Sequence, residues 1–280
     1  MPESPEVQAL AEFVSARLVG RRISAVDVLL PKALKAGDAA AIIGCRVDAV
    51  RRHGKLLDFA LHDPTGAGRH LIVHWGHDGW LVWHDVVPDG TRRSGEATLI
   101  ARIRLDDGSG FDLTDAGQWK ALALFVVSDP EAVPAVAALG PDPTADSFTR
   151  EDVTAAVGGR RKQLKALVQD QKAFAGIGNA YSDEILHAAR LSPTVHASTL
   201  GETEITRLFQ ASRGILRDAV EARRGRAPEH LKDGKRGDMH VHRRPGEACP
   251  VCGDTIAEIT FSGAAAHYCP TCQTGGARLP

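Results

Sequence analysis

No apolar run in this 280-residue chain approaches the roughly 20 residues that a membrane-spanning helix needs. The N-terminus has no basic stretch followed by an apolar core, so no export signal is expected and the expected location is the cytoplasm. There is no excess of charge of either sign. The formal net charge is −1 and the pI about 6.9, which argues mildly against a nucleic-acid partner, since such domains are usually basic. Cysteine is absent between Cys45 and Cys249. An isolated Cys45 reads as a small core residue.

Against these absences, the first residues stand out. Met1-Pro2-Glu3 would, on removal of Met1, leave Pro2 with a free secondary amine. An α-amino group titrates near 7.7–8.0, so part of it is unprotonated and nucleophilic at neutral pH. Such an amine attacks a carbonyl carbon and forms a Schiff base, and a secondary amine gives a cationic iminium. Glu3 beside it could move protons. Taken alone, a second-position proline followed by Ser4-Pro5-Glu6 reads as an ordinary helix start, with Ser4 as cap and Pro5 at the first position, and the rest of the chain must decide. Val7, Leu10, Ala11, Val14 and Leu18 then follow at helical spacing.

From Ile23 to about Val127, short Val, Ile and Leu runs alternate with turn signals at Gly54, 63–66, 89–90 and 107–108. Leu71–His74 and Ala101–Leu105 read as strands, and the pattern predicts a β-sandwich or barrel. Trp75, Trp80 and Trp83 read as core. Arg51-Arg52-His53-Gly54-Lys55 reads, by itself, as a solvated turn. The loop from His74 to Gly79 can present His77 on a tight turn. Residues 129–146 hold four prolines, and Gly140-Pro141-Asp142-Pro143 reads as a hinge.

Beyond this hinge the pattern is helical. Thr149 with Asp152 forms a capping box. Basic residues cluster at Arg160, Arg161, Lys162 and Lys165, with a basic helix expected over Lys162–Val168 and another helix over Asn179–Ala189. Between them, Gly176-Ile177-Gly178-Asn179 opens a helix with outward N–H groups, a suitable phosphate cradle. A plain packing turn fits that pattern as well. A further helix is expected over Thr203–Arg223, and Arg224–Arg244 reads as a flexible, solvated connector. In the tail, Cys249-x-x-Cys252 and Cys269-x-x-Cys272 are separated by sixteen residues. That spacing is a closed, tetrahedral, structural zinc site on a ribbon.

In order along the chain, Met1-Pro2-Glu3 with Pro5-Glu6-Val7, Gly54-Lys55, Gly176-Ile177-Gly178-Asn179-Ala180-Tyr181 with Glu184, and Tyr268-Cys269-Pro270-Thr271-Cys272-Gln273 resemble the formamidopyrimidine-DNA glycosylase and endonuclease VIII family of base-excision repair enzymes. The resemblance implies an α+β, multi-domain chain. Its expected parts are an N-terminal helix with a β-sandwich over 1–130, a linker over 131–147, a helix–two-turn–helix DNA-binding domain over 148–240, and a zinc ribbon over 241–280. It implies a monomer acting on double-stranded damaged DNA, which excises a base and nicks the strand, with one structural zinc ion. Pro2 would attack the sugar C1′, Glu3 would move protons, and Lys55 would belong to the catalytic set. Lys55 and Asn179 would contact phosphates, with Lys162, His77, Gln118 and Trp119 also on the DNA. The flipped nucleotide would have to leave the stack first. The chain departs from the family pattern where it carries His77 in place of an inserted methionine, Gly117-Gln118-Trp119 in place of an Arg-Arg-Phe wedge, and Ala264 in place of a DNA-gripping arginine. These departures imply a damaged-base preference other than the usual oxidised purine. A DNA-binding protein that no longer excises bases, and a zinc-ribbon interaction module, are the competing readings.

Overall fold

A computed structural model of the chain describes residues 1–90, 97–261 and 263–280, with the side chains of 232–236 and 261 also set aside. In it the chain divides into two compact units: Met1–Ala138 with Arg223–Asp233, and Leu139–Ala222 with Gly234–Pro280.

The first unit starts with helix α1 (Ser4–Leu18). The helix begins one residue earlier than Ser4 capping would allow. Glu3, in extended backbone, is the N-cap, and Pro5 falls on the second helical position. Proline is tolerated anywhere in the first turn, because the amide it lacks would have no intrahelical partner. What selects Glu3 is the Glu6 carboxylate, whose Oε2 accepts the Glu3 amide at 3.0 Å. The apolar stripe of Val7, Leu10, Val14 and Leu18 is buried as its spacing predicts.

Strands β1 (Ile23–Val28), β2 (Leu34–Ala36), β3 (Arg46–His53), β4 (Leu56–His62), β5 (Gly68–His74), β6 (Gly79–His84), β7 (Thr98–Leu105), β8 (Gly110–Asp115) and β9 (Ala123–Val127) follow. They form a four-stranded sheet, β1-β7-β8-β6, and a five-stranded sheet, β2-β9-β5-β4-β3. Only the β2–β9 pairing is parallel among these strands. Period-two alternation sets the faces. On β4, Leu57, Phe59 and Leu61 join the main core with Phe111 and Leu113 of β8. Phe59 and Phe111 stack with ring centroids 5.3 Å apart and planes 9° apart, which ties one sheet to the other. Leu56 and Ile72 face the opposite way, under Val133 and Val136, the latter in the short helix α2 (Pro134–Ala137). Trp75 and Trp80 are buried in the core as expected.

In the second unit lie α3 (Arg150–Val157), α4 (Leu164–Val168), α5 (Asn179–Ala189) and α6 (Glu202–Arg223), whose last residue belongs to the first unit. The Thr149–Asp152 capping box is present, and α5 spans the residues its sequence predicts. Helix α4 starts at Leu164, not Lys162. Residues 160–163 stay outside it, where the Ala197 and Ser198 amides bond to the carbonyls of Lys162 and Arg160 and Gln163 bridges to His196. Residues 140–143 are pinned as well. The Gly140 amide donates to Gln171 O at 2.8 Å, and the Ala175 amide to Pro141 O at 2.9 Å.

The segment expected to be a flexible connector contains helix α7 (Pro228–Gly237). Its composition is polar, but a few apolar residues are captured by tertiary packing. Leu231 is fully buried in the core of the first unit, where Trp80 Nε1 donates to Pro228 O at 3.0 Å. Met239 is buried in the helical core and Val241 in the zinc ribbon. The ribbon is β10 (Ala257–Phe261) paired antiparallel with β11 (Ala264–Tyr268), followed by α8 (Pro270–Thr274). No helix of the described residues is long and apolar enough to cross a membrane. Since Leu231 is core rather than linker, Leu231→Ala should cost about 2–5 kcal/mol in denaturant unfolding of the first unit. A loss below about 0.5 kcal/mol would match an exposed connector instead.

Candidate functional site

Chain ends usually fray because little holds them. Here Pro2 and Glu3 are both buried. The Glu6 carboxylate holds the Glu3 backbone. Its Oε2 takes the Glu3 amide, and its Oε1 lies 3.0 Å from Arg223 Nε, both side chains being almost fully buried.

Helix α1 packs on the β3–β4 hairpin, whose two-residue turn is Gly54-Lys55. Gly54 has φ +55°, a backbone state that glycine adopts without a Cβ clash. The turn is not solvated, contrary to the reading of its charges. Lys55 is buried, and Arg52 is engaged by Gln8 Oε1 at 3.0 Å and Gly54 O at 2.9 Å. Gln8 comes from helix α1, distant in sequence, which local pattern does not reveal. Across the sheet, His74 pairs with Leu56 and accepts the Gly76 amide on Nδ1 at 3.1 Å. Burial, followed by the charges of Lys55 and His77, holds the His74 pKa below its ordinary value. Lys55 and His77 thus both lie near enough to His74 to disfavour its protonation.

His77, Gln118 and Trp119 come to one edge of this unit on two interlocked loops. A Cβ on Gly76 would lie 2.6 Å from the Ala121 carbonyl carbon, and the Ala116 amide donates to Asp78 O at 3.3 Å. Buried Asp115 fixes the second loop by accepting the amides of Gly117, Ala121 and Leu122 at 2.8–3.0 Å. His77 and Gln118 are exposed, and Trp119 is 84% exposed. A large aromatic so presented, on a loop so anchored, can stack on a planar partner.

In the second unit, Gln171 braces the glycine turn by accepting the Gly176 amide at 2.9 Å and donating to Ile177 O at 2.7 Å. Half-buried Asn179 opens α5. It accepts from Gln169 on Oδ1 at 3.1 Å and donates from Nδ2 to Ala265 O at 3.1 Å, so it also clamps the ribbon hairpin. Lys162 lies before α4 and pairs with Asp170 at 2.8 Å, holding that carboxyl below its usual range. Ala264 is exposed at the hairpin end and offers no charge there.

The four cysteines converge. Their sulfurs all lie within 4.8 Å of one another, with Cys249–Cys272 at 3.9 Å and Cys252–Cys269 at 3.3 Å. Four thiolates about 2.3 Å from a tetrahedral zinc stand at about this separation, so the residues fit the ion. Burial pushes the Cys269 thiol up to about 11, and Cys272 higher still. A central dication is what keeps such thiols ionised. His187 Nε2 lies 3.3 Å from Cys249 Sγ and can donate to it, as ligand-supporting groups do. Gln273 ties the knuckle to the helical unit, accepting the Cys269 amide at 2.8 Å and donating to Leu191 O at 2.9 Å.

Sequence reasoning left the roles of three features unassigned. One is the Glu6–Arg223 pair. Another is Glu184, which accepts the amides of His240, Val241 and His242 at 2.8–2.9 Å. The third is Asp183, where burial opposes ionisation but His242, His267 and Lys165 together hold the carboxyl below its ordinary value. An Asp-Glu pair inside an otherwise apolar helix stretch was the available signal. Histidines inside a segment read as solvated gave none.

The depressed His74 pKa has a stability consequence of fixed sign. The unfolded chain binds this proton more readily, so the stability it carries is present above about pH 6.5 and is lost as pH falls from there toward the folded value. His74→Gln should therefore lose less stability than the parent chain between pH 7.5 and pH 5.5 in urea unfolding. An equal loss in both would remove His74 from the account.

Three family models match the chain. They are the formamidopyrimidine-DNA glycosylase N-terminal domain over residues 1–120, the formamidopyrimidine-DNA glycosylase H2TH domain over 139–228, and a zinc finger found in FPG and IleRS over 246–275. A formamidopyrimidine-DNA glycosylase of Symbiobacterium thermophilum is 34% identical, over 98% of this chain and 89% of its own length. An uncharacterized formamidopyrimidine-DNA glycosylase-like protein of Mycobacterium tuberculosis is 46% identical, over 51% of this chain and 89% of its own. The crystal structure of the MutM (Fpg) protein from Thermus thermophilus superposes with TM-score 0.82 at 31% identity, covering 97% of this chain and 98% of that one. MutM in complex with DNA containing carbocyclic 8-oxo-G superposes with TM-score 0.84 at 25% identity, covering 98% of this chain and all of that one. With its N-terminal β domain, helical module and four-cysteine ribbon, the chain belongs to the formamidopyrimidine-DNA glycosylase family.

Proposed function

We propose that this chain is a DNA glycosylase with associated abasic-site lyase activity, working as a monomer on damaged double-stranded DNA. The observation that carries the reading is the buried Pro2-Glu3 end, its Glu3 amide clamped by Glu6, at the head of a helix that packs on the hairpin bearing buried Lys55. Relatives named as glycosylases over nearly their whole length support it.

With Met1 removed, the Pro2 nitrogen attacks C1′ of an extruded nucleotide. A C–N bond forms, and the damaged base departs with the glycosidic electron pair and takes up a proton. The sugar ring opens, Glu3 supplies the proton that O4′ needs, and an iminium remains between Pro2 and C1′. That cation acidifies the C2′ protons. Loss of one of them expels the 3′ phosphate and nicks the strand, and water then frees Pro2. Lys55 and Asn179 hold phosphates, Gln118 and Trp119 contact the opened stack, and His77 fills space near the lesion. The zinc ion, when bound, shapes the ribbon and takes no part in a step.

Borohydride should trap a covalent adduct between the protein and a duplex containing an abasic site. Pro2→Gly should abolish that adduct, and Glu3→Gln should slow its formation by ~10²–10⁴-fold. Tight binding to the abasic duplex with no adduct would instead support a sensor that does not excise.

The altered loops support a base preference other than 8-oxoguanine opposite cytosine. They leave Trp119 as a stacking wedge without a guanidinium to read the orphaned base. Ala264 likewise leaves one phosphate without a cation. Ala264→Arg should therefore steepen the slope of log K against log[salt] by about 0.9. An unchanged slope would remove the hairpin end from the DNA contact.

A further inference from the structure

Two imidazoles converge on one carboxylate inside the second unit, at a place that the chemistry above does not use. Asp183 of α5 and His267 of β11 are buried, and His242 nearly so. His242 Nδ1 lies 2.7 Å from Asp183 Oδ2, and His267 Nδ1 lies 3.2 Å from the same oxygen. The two rings stand at 85° with centroids 5.1 Å apart. The ligand atoms of all three residues lie within 4.8 Å of one another.

We propose that Asp183, His242 and His267 form a second metal site, for a divalent transition cation of the zinc class, separate from the four cysteines. Two imidazoles with one carboxylate suit zinc, copper or nickel. Nitrogen and oxygen ligands about 2.0–2.2 Å from such an ion stand roughly 3–3.6 Å apart, so a small opening of the present contacts admits it. The surrounding groups point the same way. His267 Nε2 lies 3.0 Å from Glu258 Oε2, its cross-strand partner on β10. A ring ligating through Nδ1 keeps its proton on Nε2 and donates it to Glu258, the carboxylate–histidine–metal arrangement. Lys165 Nζ occupies the other Asp183 oxygen at 2.5 Å, which fixes the carboxylate and leaves Oδ2 turned to the histidines. The backbone that carries His242 is fixed in turn by the three amide bonds to Glu184. Because Lys165 offsets the Asp183 charge, this site binds more weakly than the thiolate site and is the first to be stripped by a chelator.

The test uses the full chain equilibrated with excess zinc, freed of unbound ion by gel filtration, and analysed for metal per chain. Two zinc ions are expected in the parent and one in His242→Ala, which keeps all four cysteines. Zinc X-ray absorption on the loaded parent should report nitrogen and oxygen neighbours alongside sulfur, a reading that does not depend on how the variant folds. One zinc per chain with sulfur neighbours alone would overturn the proposal and leave a hydrogen-bonded network. Two ions in the His242→Ala variant would overturn it as well, by placing the second ion elsewhere.

Discussion

Everything proposed for the first residues depends on one buried carboxylate. Glu6 accepts the Glu3 amide with one oxygen and faces Arg223 with the other. The Glu3 backbone is therefore held by a side chain of the first helical turn. Removing one partner from a buried ion pair typically costs about 3–5 kcal/mol, because the other charge is left uncompensated. That penalty keeps the capping box closed and the terminal residues in place. Arg223 arrives from the far end of α6, so the geometry of the first turn is set by a residue more than two hundred positions away.

The rest of the first unit turns that fixed end into a site. Helix α1 lies on the β3–β4 hairpin, and Lys55 in the turn of that hairpin is buried. A cation held in low dielectric interacts more strongly with an anion than one in water does. Burial, with that charge adding to it, lowers the His74 pKa below its ordinary value. Asp115 stiffens the loop of Gln118 and Trp119 through three amides, so an exposed aromatic is presented on an anchored support. The second unit follows the same economy, since Asn179, Gln273 and His187 each join the ribbon to the helices.

Features ruled by local chemistry were legible in the sequence. The Thr149–Asp152 box, the span of α5, the stripe on α1 and the four cysteines each follow from spacing over a few residues or from two knuckles of fixed form. Features ruled by distant partners were not. Lys55 looked solvated because nothing near it in sequence reveals the helix above it. Leu231 looked like part of a connector because one leucine in a polar stretch gives no periodicity. Helix α4 starts two residues later than expected, because residues 195–198 bond to the backbone of residues 160–164. Asp183 meets His242 and His267 across 59 and 84 positions, a separation that no local pattern can encode.

The most direct measurement is to locate the bond. After borohydride reduction on abasic DNA and nuclease trimming, peptide mapping should find the sugar remnant on the N-terminal nitrogen of Pro2, in a chain that lacks Met1. A remnant on Lys55 or another lysine, with Pro2 unmodified or Met1 retained, would contradict the account.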